Sequence, residues 1–300
     1  MAAALISMRR SFRSIPEMKN GHLSNEGLRR TVCGLRPAEW LRLNSHRLQM
    51  GSMMDETLHP DRCLDIASTQ NIRDLGGYST PEGTATRWNR FVRSGDMDRL
   101  TLPDQQKLID YGINTVIDLR MQREAGAAPN VFTGSPQVAF VNHDFWGDRF
   151  DDYRSQRKGA PAEAKLADLY CSGLVESGFI MADIMGTIAN SSSNGFIFHC
   201  RSGKDRTGLV AALLLALAGV STQTICADYA LTASLLISTE ADRQIDPNQP
   251  GYYLRGCERE TMALTLRFLD EEYGGVEAYL QHLGVSKGQI RRIREKLLDK

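Results

Sequence analysis

The sequence predicts an α/β domain, with a largely parallel central sheet and helices on both faces, and three observations predict it. Gly195 to His199 is a short apolar run that stops at a Gly/Lys/Asp-rich turn, the pattern of a fully buried strand. Leu209 to Gly219 is Leu/Ala-rich and closed by glycine, which reads as a buried helix with a C-terminal stop. Thr115 to Leu119 and Val138 to Asn142 are further short buried strands, set among helix-like stretches.

The remaining elements follow in chain order. Asn71 to Gly95 predicts short β structure with turns at Gly76-Gly77 and Pro81-Glu82-Gly83, and Thr84 to Arg93 fits an edge strand. Thr101 can cap a helix running to Tyr111, with Asp104 in its first turn and Gly112 ending it. Pro161 to Asn190 places apolar residues at helical spacing, interrupted by Gly173 and Gly178, and so predicts a helical insertion of two helices. Ser191 to Gly195 is a loop. Thr222 to Ser238, Glu258 to Glu272 and Ser286 to Leu298 are helical. The last carries Lys287, Arg291, Arg292, Arg294 and Lys296, a basic stripe expected to be a solvated face. No internal repeat is present.

Composition bounds the function. With 42% hydrophobic residues in 300, the chain can bury a core. Its formal net charge of zero gives no global reason to expect nucleic acid or an acidic membrane as partner. No apolar run reaches the roughly 18 residues that a membrane span needs. Cys33, Cys63, Cys171, Cys200, Cys226 and Cys257 are scattered and form no Cys-x-x-Cys pair. That argues against a zinc site or a disulfide scaffold and for a reducing, cytoplasmic compartment, with export as an effector left open. No metal or other cofactor is expected. The first fifty residues hold nine Lys/Arg against three Glu without a clear period. Residues 1–55 therefore read as a disordered leader or upstream extension, and 56–300 as one catalytic domain. Nothing in the sequence specifies an oligomeric state.

The turn between the strand ending at His199 and the helix that follows carries the chemistry: Cys200-Arg201-Ser202-Gly203-Lys204-Asp205-Arg206-Thr207-Gly208. Amides from Arg201 to Arg206 can converge on one point, where a helix N-terminus adds unpaired N–H groups and its positive dipole end. That is an anion site. Gly203 lets the backbone approach the anion or take positive φ. Arg206 can grip two phosphate oxygens as a planar fork, and Lys204 would add a point charge at the rim. The same field favours the thiolate form of Cys200, which makes it a nucleophile in line with phosphorus. Thr207 could donate its hydroxyl to the sulfur, and His199 would fix the loop by hydrogen bonds. A structural strand-end cysteine beside a basic turn is the bland alternative. The strand before, the glycine inside, Thr-Gly after and the apolar helix following disfavour it together. A nucleotide-type Gly-x4-Gly-Lys-Ser/Thr loop is excluded, because Phe198 stands at its first glycine and Asp205 at its Ser/Thr.

His199-Cys200-x-x-Gly203-Lys204-Asp205-Arg206-Thr207-Gly208 resembles the signature of the bacterial and fungal tyrosine-phosphatase family with a Lys-Asp pair in its loop, also called tyrosine/serine or atypical dual-specificity phosphatases. The loop is also similar to that of lipid phosphatases. Asn71-Ile72-Arg73-Asp74-Leu75-Gly76-Gly77-Tyr78 resembles the family's N-terminal box. Arg93-Ser94-Gly95, Leu100-Thr101 and Gly112 to Arg120 resemble its next block. Asp228 to Thr232 and Tyr273 to Leu280 complete the order, so that the resemblance covers about Arg62 to Leu298. It implies a three-layer αβα cysteine-phosphatase fold and hydrolysis of phosphomonoesters through a cysteinyl-phosphate. The substrate class it implies is a phosphorylated protein, with phosphoinositides as the alternative. A phosphate-binding pseudophosphatase or interaction module is a third reading; such proteins typically lose the cysteine or the arginine, and both are present here.

Cleavage by a thiolate needs an acid for the leaving oxygen and then a base for water. Asp205, inside the loop, is the first candidate. Asp118, ending a strand in Asp-Leu-Arg, is the second, with a structural pair to Arg120 or Arg73 as its competing role. Asp144 is the third: Asp144 and Asp148 flank Phe145-Trp146-Gly147, a weak likeness to the Trp-Pro-Asp lid of other tyrosine phosphatases, from which the proline is missing. Arg73 could bind phosphate at the entrance, though a structural role in its box is the stronger reading.

Overall fold

A computed structural model describes residues 59–147, 162–236 and 252–299. The leader expected over 1–55 and Asp148 lie outside the described residues.

Five strands form one sheet among the described residues: β1 (Arg73–Asp74), β2 (Phe91–Ser94), β3 (Thr115–Asp118), β4 (Ala139–Asn142) and β5 (Phe196–His199), in the order β1-β2-β5-β3-β4. Only β1 is antiparallel to its neighbour. The parallel register aligns Ser94, His199, Asp118 and Asn142, so the carboxyl ends of four strands finish on one edge. Ligands bind along that edge in open α/β sheets.

The side chains alternate between two buried faces, as period-2 strands require. Phe91, Ile117, Phe196 and Phe198 enter the larger core, whereas Val92, Val116 and Ile197 enter a second core on the opposite face. Helix α1 (Leu102–Asp110) covers the second core with Leu108, and Thr101 caps it by accepting from the Asp104 amide at 3.3 Å, as the sequence predicts. After the short α2 (Gln122–Ala127), the helices α3 (Ala162–Glu176), α4 (Gly178–Asn190), α5 (Asp205–Leu217), α6 (Thr222–Leu235), α7 (Arg259–Tyr273), α8 (Val276–His282) and α9 (Lys287–Leu297) supply the larger layer. The expected α/β architecture with helices on both faces is thus present. Helix α5 is apolar nearly all round because it is the centre of that layer, buried from Arg206 to Leu215 and packed against β2, β5, α6, α8 and α9.

Four details depart from the sequence reading. The strand expected over Thr84 to Arg93 is only Phe91–Ser94, and it lies inside the sheet with all four residues buried. The preceding residues make isolated bridges, Ser79 to Ala85 and Thr86 to Leu298. Gly173 does not interrupt its helix. A Cβ there would stand 2.4 Å from the Trp146 ring, so the glycine serves close packing, and the break falls at Ser177, where α3 and α4 meet at 74°. Helix α8 was not separated from the apolar signal around it. The basic stripe of α9 is partly spent on internal carbonyls: Arg294 Nε donates to Leu217 O at 2.8 Å, Arg292 Nε to Ala189 O at 3.0 Å and Lys296 Nζ to Ser193 O at 2.7 Å. Among the described residues no single helix is long and apolar enough to cross a membrane.

Candidate active site

Strand β5 delivers Cys200, 1% exposed, to the carboxyl edge of the sheet, and the turn from Arg201 to Lys204 leads into α5. Gly203 has φ of 69°, and a Cβ there would lie 2.5 Å from Ser94 O; no other residue fits. No side chain caps α5, so its first amides and positive dipole end are left for a ligand.

Arg206 lies in the first turn of α5 and is clamped from below. Its Nη1 donates to Glu124 Oε2 at 2.5 Å, its Nη2 to Glu124 Oε1 at 3.3 Å, and Nη1 also reaches Leu119 O at 3.3 Å. Burial disfavours the guanidinium's charge, but Cys200 and Glu124 outweigh burial and hold its pKa above the ordinary value. Burial likewise works to raise the Glu124 pKa, and Arg206 holds it below the usual carboxylate range. Glu124 also accepts from the Met121 amide at 2.9 Å, which anchors the carboxylate to the start of α2. A fork fixed at two points is oriented before any phosphate arrives.

The three candidate acids differ in exposure and partners. Asp118 is fully buried, and both its oxygens accept from Arg120, with Nη2–Oδ2 at 2.7 Å and Nε–Oδ1 at 3.0 Å. Burial alone would raise its pKa; neighbouring His199 and the bonds from Arg120 together outweigh burial and hold it below the ordinary range. Asp118 therefore occupies the structural pairing that the sequence left as its competing role. Asp144 spends its oxygens on the amides of Gln122 at 2.9 Å and Gly147 at 2.7 Å. The side chain of Asp205 is 26% exposed, and its Oδ1 accepts from Lys204 Nζ at 2.5 Å and Tyr170 OH at 2.7 Å. Its Oδ2 has no partner among the described residues.

A sequence model of the tyrosine phosphatase family matches residues 64–299, most of the chain. The chain belongs to the tyrosine phosphatase family. A tyrosine-protein phosphatase from Nostoc commune is 30% identical over 229 residues, covering 71% of this chain and 76% of the relative. The triple specificity protein phosphatase PtpB from Mycobacterium tuberculosis is 26% identical over 275 residues, covering 78% of this chain and 98% of the relative.

In this phosphatase two of the expected supporting roles change, those of Lys204 and Thr207, and Arg73 takes the structural one of its two readings. Lys204 does not stand at the rim. It is 4% exposed, and its Nζ turns inward to Asp205 and to Gly256 O at 2.9 Å, since a buried ammonium needs acceptors. Burial disfavours its charge, but Asp205 and Tyr229 hold its pKa above the ordinary lysine value. Arg73 is fully buried and cannot meet phosphate at an entrance. Its Nε donates to Asp228 Oδ1 at 2.9 Å, and Arg93 Nη1 reaches Asp228 Oδ2 at 2.6 Å. Removing Asp228 would leave two buried guanidiniums unpaired, a loss of about 3–5 kcal/mol by the usual cost of breaking a buried pair. The hydroxyl of Thr207 is buried without a hydrogen-bond partner among the described residues, so the contact to sulfur expected of it is not formed in this state.

Both ring nitrogens of His199 are hydrogen-bonded. Phe132 N donates to Asn130 Oδ1 at 2.9 Å, which makes Asn130 Nδ2 the donor to His199 Nε2 at 2.8 Å. The ring proton then sits on Nδ1 and faces Cys200 O at 3.2 Å. Burial pushes the His199 pKa down to about 4, against the pull of Asp118 3.6 Å away. The imidazole is neutral in the folded phosphatase and protonates from about 6.5 downward once unfolded. Stability tied to His199 is thus complete above pH 6.5 and lost as pH falls from about 6.5 to about 4. Thermal unfolding across that window checks it. His199→Asn should flatten the acid limb, and an unchanged limb would contradict the assignment.

Sequence reasoning missed Glu124, Tyr170, Tyr229 and the roles of Asn71 and Asp228. Asn71 and Asp228 stood inside quoted motifs, so their positions were visible and their partners were not. Glu124 lies four residues after Arg120 of the Asp-Leu-Arg segment, but nothing local marks it as the partner of an arginine eighty-two positions on.

Proposed function

We propose that this phosphatase hydrolyses phosphomonoesters through a cysteinyl-phosphate, with Cys200 as nucleophile, Arg206 and the loop amides of Arg201 to Arg206 as the phosphate seat, and Asp205 as the acid and then the base. The observation that carries it is Cys200 at the end of the central strand, facing an uncapped helix start whose Arg206 fork is already fixed by Glu124. The Cys200 sulfur forms an S–P bond as the P–O bond to the leaving group breaks. The leaving oxygen keeps that bond's electron pair and takes a proton from Asp205. Water then attacks phosphorus, gives its proton back to Asp205, and the S–P electron pair returns to sulfur as inorganic phosphate departs. Lys204 and Tyr170 both bind Asp205 Oδ1, which leaves Oδ2 to carry the working proton. Thr207, whose hydroxyl has no other engagement, is available to the sulfur as charge develops on it.

Phosphotyrosine is the proposed substrate side chain, with phosphoserine and phosphothreonine as further protein substrates. Phosphoinositide hydrolysis is the second reading. The name of the Mycobacterium relative, which specifies three specificities, supports breadth, and exposed Arg201 offers a cation beside the loop. Buried Lys204 supplies no free rim charge, which weakens the lipid reading. Cys200, Cys226 and Cys257 are free, which fits a reducing cytoplasm. A panel of phosphotyrosine, phosphoserine and phosphothreonine peptides and inositol-lipid vesicles, assayed with EDTA present, tests the reading. Fastest phosphate release is expected from phosphotyrosine peptides without loss in EDTA. Turnover confined to the lipids would transfer the assignment to the second reading.

A further inference from the structure

Three successive carbonyl groups of the phosphate loop are each held by a donor from outside the loop. Arg201 O accepts from the Asp96 amide at 2.9 Å, Ser202 O from Asn71 Nδ2 at 3.0 Å, and Gly203 O from Arg93 Nη2 at 2.8 Å. Among the described residues no peptide bond is cis. In a trans peptide the N–H points opposite to the C=O of the residue before it. The amides of Ser202, Gly203 and Lys204 therefore turn away from Asp96, Asn71 and Arg93. Among the described residues none of these three amides has an acceptor of its own.

Two of the three holds share one anchor. Asn71 Oδ1 accepts from Arg73 Nη1 at 2.5 Å, and Arg73 Nε is fixed by Asp228 Oδ1. Arg93 is fixed by Asp228 Oδ2. Burial would raise the Asp228 pKa, but Arg73 and Arg93 hold it far below the usual range, so the anchor is a permanent anion. Asn71 is itself in the left-handed region, φ 59°, which asparagine tolerates and β-branched residues do not. A short carboxamide in that conformation reaches both Arg73 and Ser202 O from one position.

We propose that Asn71 is a positioning residue which, braced with Arg93 through Asp228, turns the loop carbonyls outward and so keeps the amides aimed at the phosphate. This deepens the proposed function and rests on it. Asn71 touches no reacting atom. Its effect is transmitted through Ser202 O.

Asn71→Gly is the direct test, because glycine keeps the positive φ and removes only the carboxamide. Asn71→Asp is the companion, since it keeps the acceptor for Arg73 and loses the donor to Ser202 O. Vanadate affinity, kcat and KM with p-nitrophenyl phosphate, and the rate of Cys200 alkylation by iodoacetate at pH 6 are read at a temperature where both variants are folded. Both variants should bind vanadate about tenfold more weakly, the worth of one buried hydrogen bond, and alkylate more slowly at an unchanged far-UV signal. Wild-type vanadate affinity and alkylation rate in either folded variant, beside an active wild type, would overturn the positioning role and leave the phosphatase reading intact. A wild-type protein that neither turns over phosphate esters nor binds vanadate would overturn that reading, and the positioning role with it.

Discussion

Replacing Cys200 with serine is expected to abolish hydrolysis of an aryl phosphate while the protein stays folded. The site is 1% exposed and the change is nearly isosteric, so packing against the core survives. What is lost is the proposed sulfur nucleophile, and a serine hydroxyl beside the same amides cannot supply an equivalent one. Arg206→Ala should be comparably severe, at least about 10²–10³-fold in kcat, the scale on which one pre-organised donor is worth in a transition state. The Glu124 clamp sharpens this. Arg206→Lys restores the charge without the fork, leaves one of the two Glu124 bonds unmade, and should rescue little. Substantial turnover by folded Cys200→Ser would remove the thiolate mechanism outright.

Asp205→Asn should produce the second largest effect, and it should depend on the leaving group. An asparagine can still accept from Lys204 and Tyr170, so the loop keeps its shape, but the side chain has no acidic proton to give. With a poor leaving group such as phenol the loss in kcat/KM, which reports the first step, should be roughly 10²–10⁴-fold, the usual worth of general acid catalysis. With p-nitrophenol, whose anion departs without help, the first step should be nearly spared. Asp118→Asn should behave differently. It disrupts a fully buried pair with Arg120 and should lower the melting temperature, with losses that do not track the leaving group. An equal loss in kcat/KM on both esters for Asp205→Asn would return the acid to the other carboxylates.

How much of this was legible in the sequence depends on the range of the interaction. Helix α1 and its Thr101 cap were legible because capping is local, settled within four residues. The strand–turn–helix around Cys200 was legible for the same reason: apolar run, glycine and helix follow one another. The edge strand expected over Thr84 to Arg93 failed because short strands are fixed by their neighbours, and β2 is held between β1 and β5. The site divides along the same line. Cys200, Gly203 and Arg206 announce themselves by spacing. Lys204 looked like a rim cation because nothing near it in sequence shows that Gly256 O lies within reach. The clamp on Arg206, the Asp228 anchor and the Tyr170 bond to Asp205 all join residues far apart in the chain, and only the fold brings them together.

The central claim is that Cys200 reacts as an anion seated among the loop amides and the Arg206 guanidinium. The most direct measurement is the rate of iodoacetate alkylation at Cys200, followed by peptide mass against pH, with and without vanadate. Alkylation should proceed at pH 6 far faster than for a small model thiol, and vanadate should suppress it by occupying the seat. A rate no faster than the model thiol, unaffected by vanadate, would contradict the account.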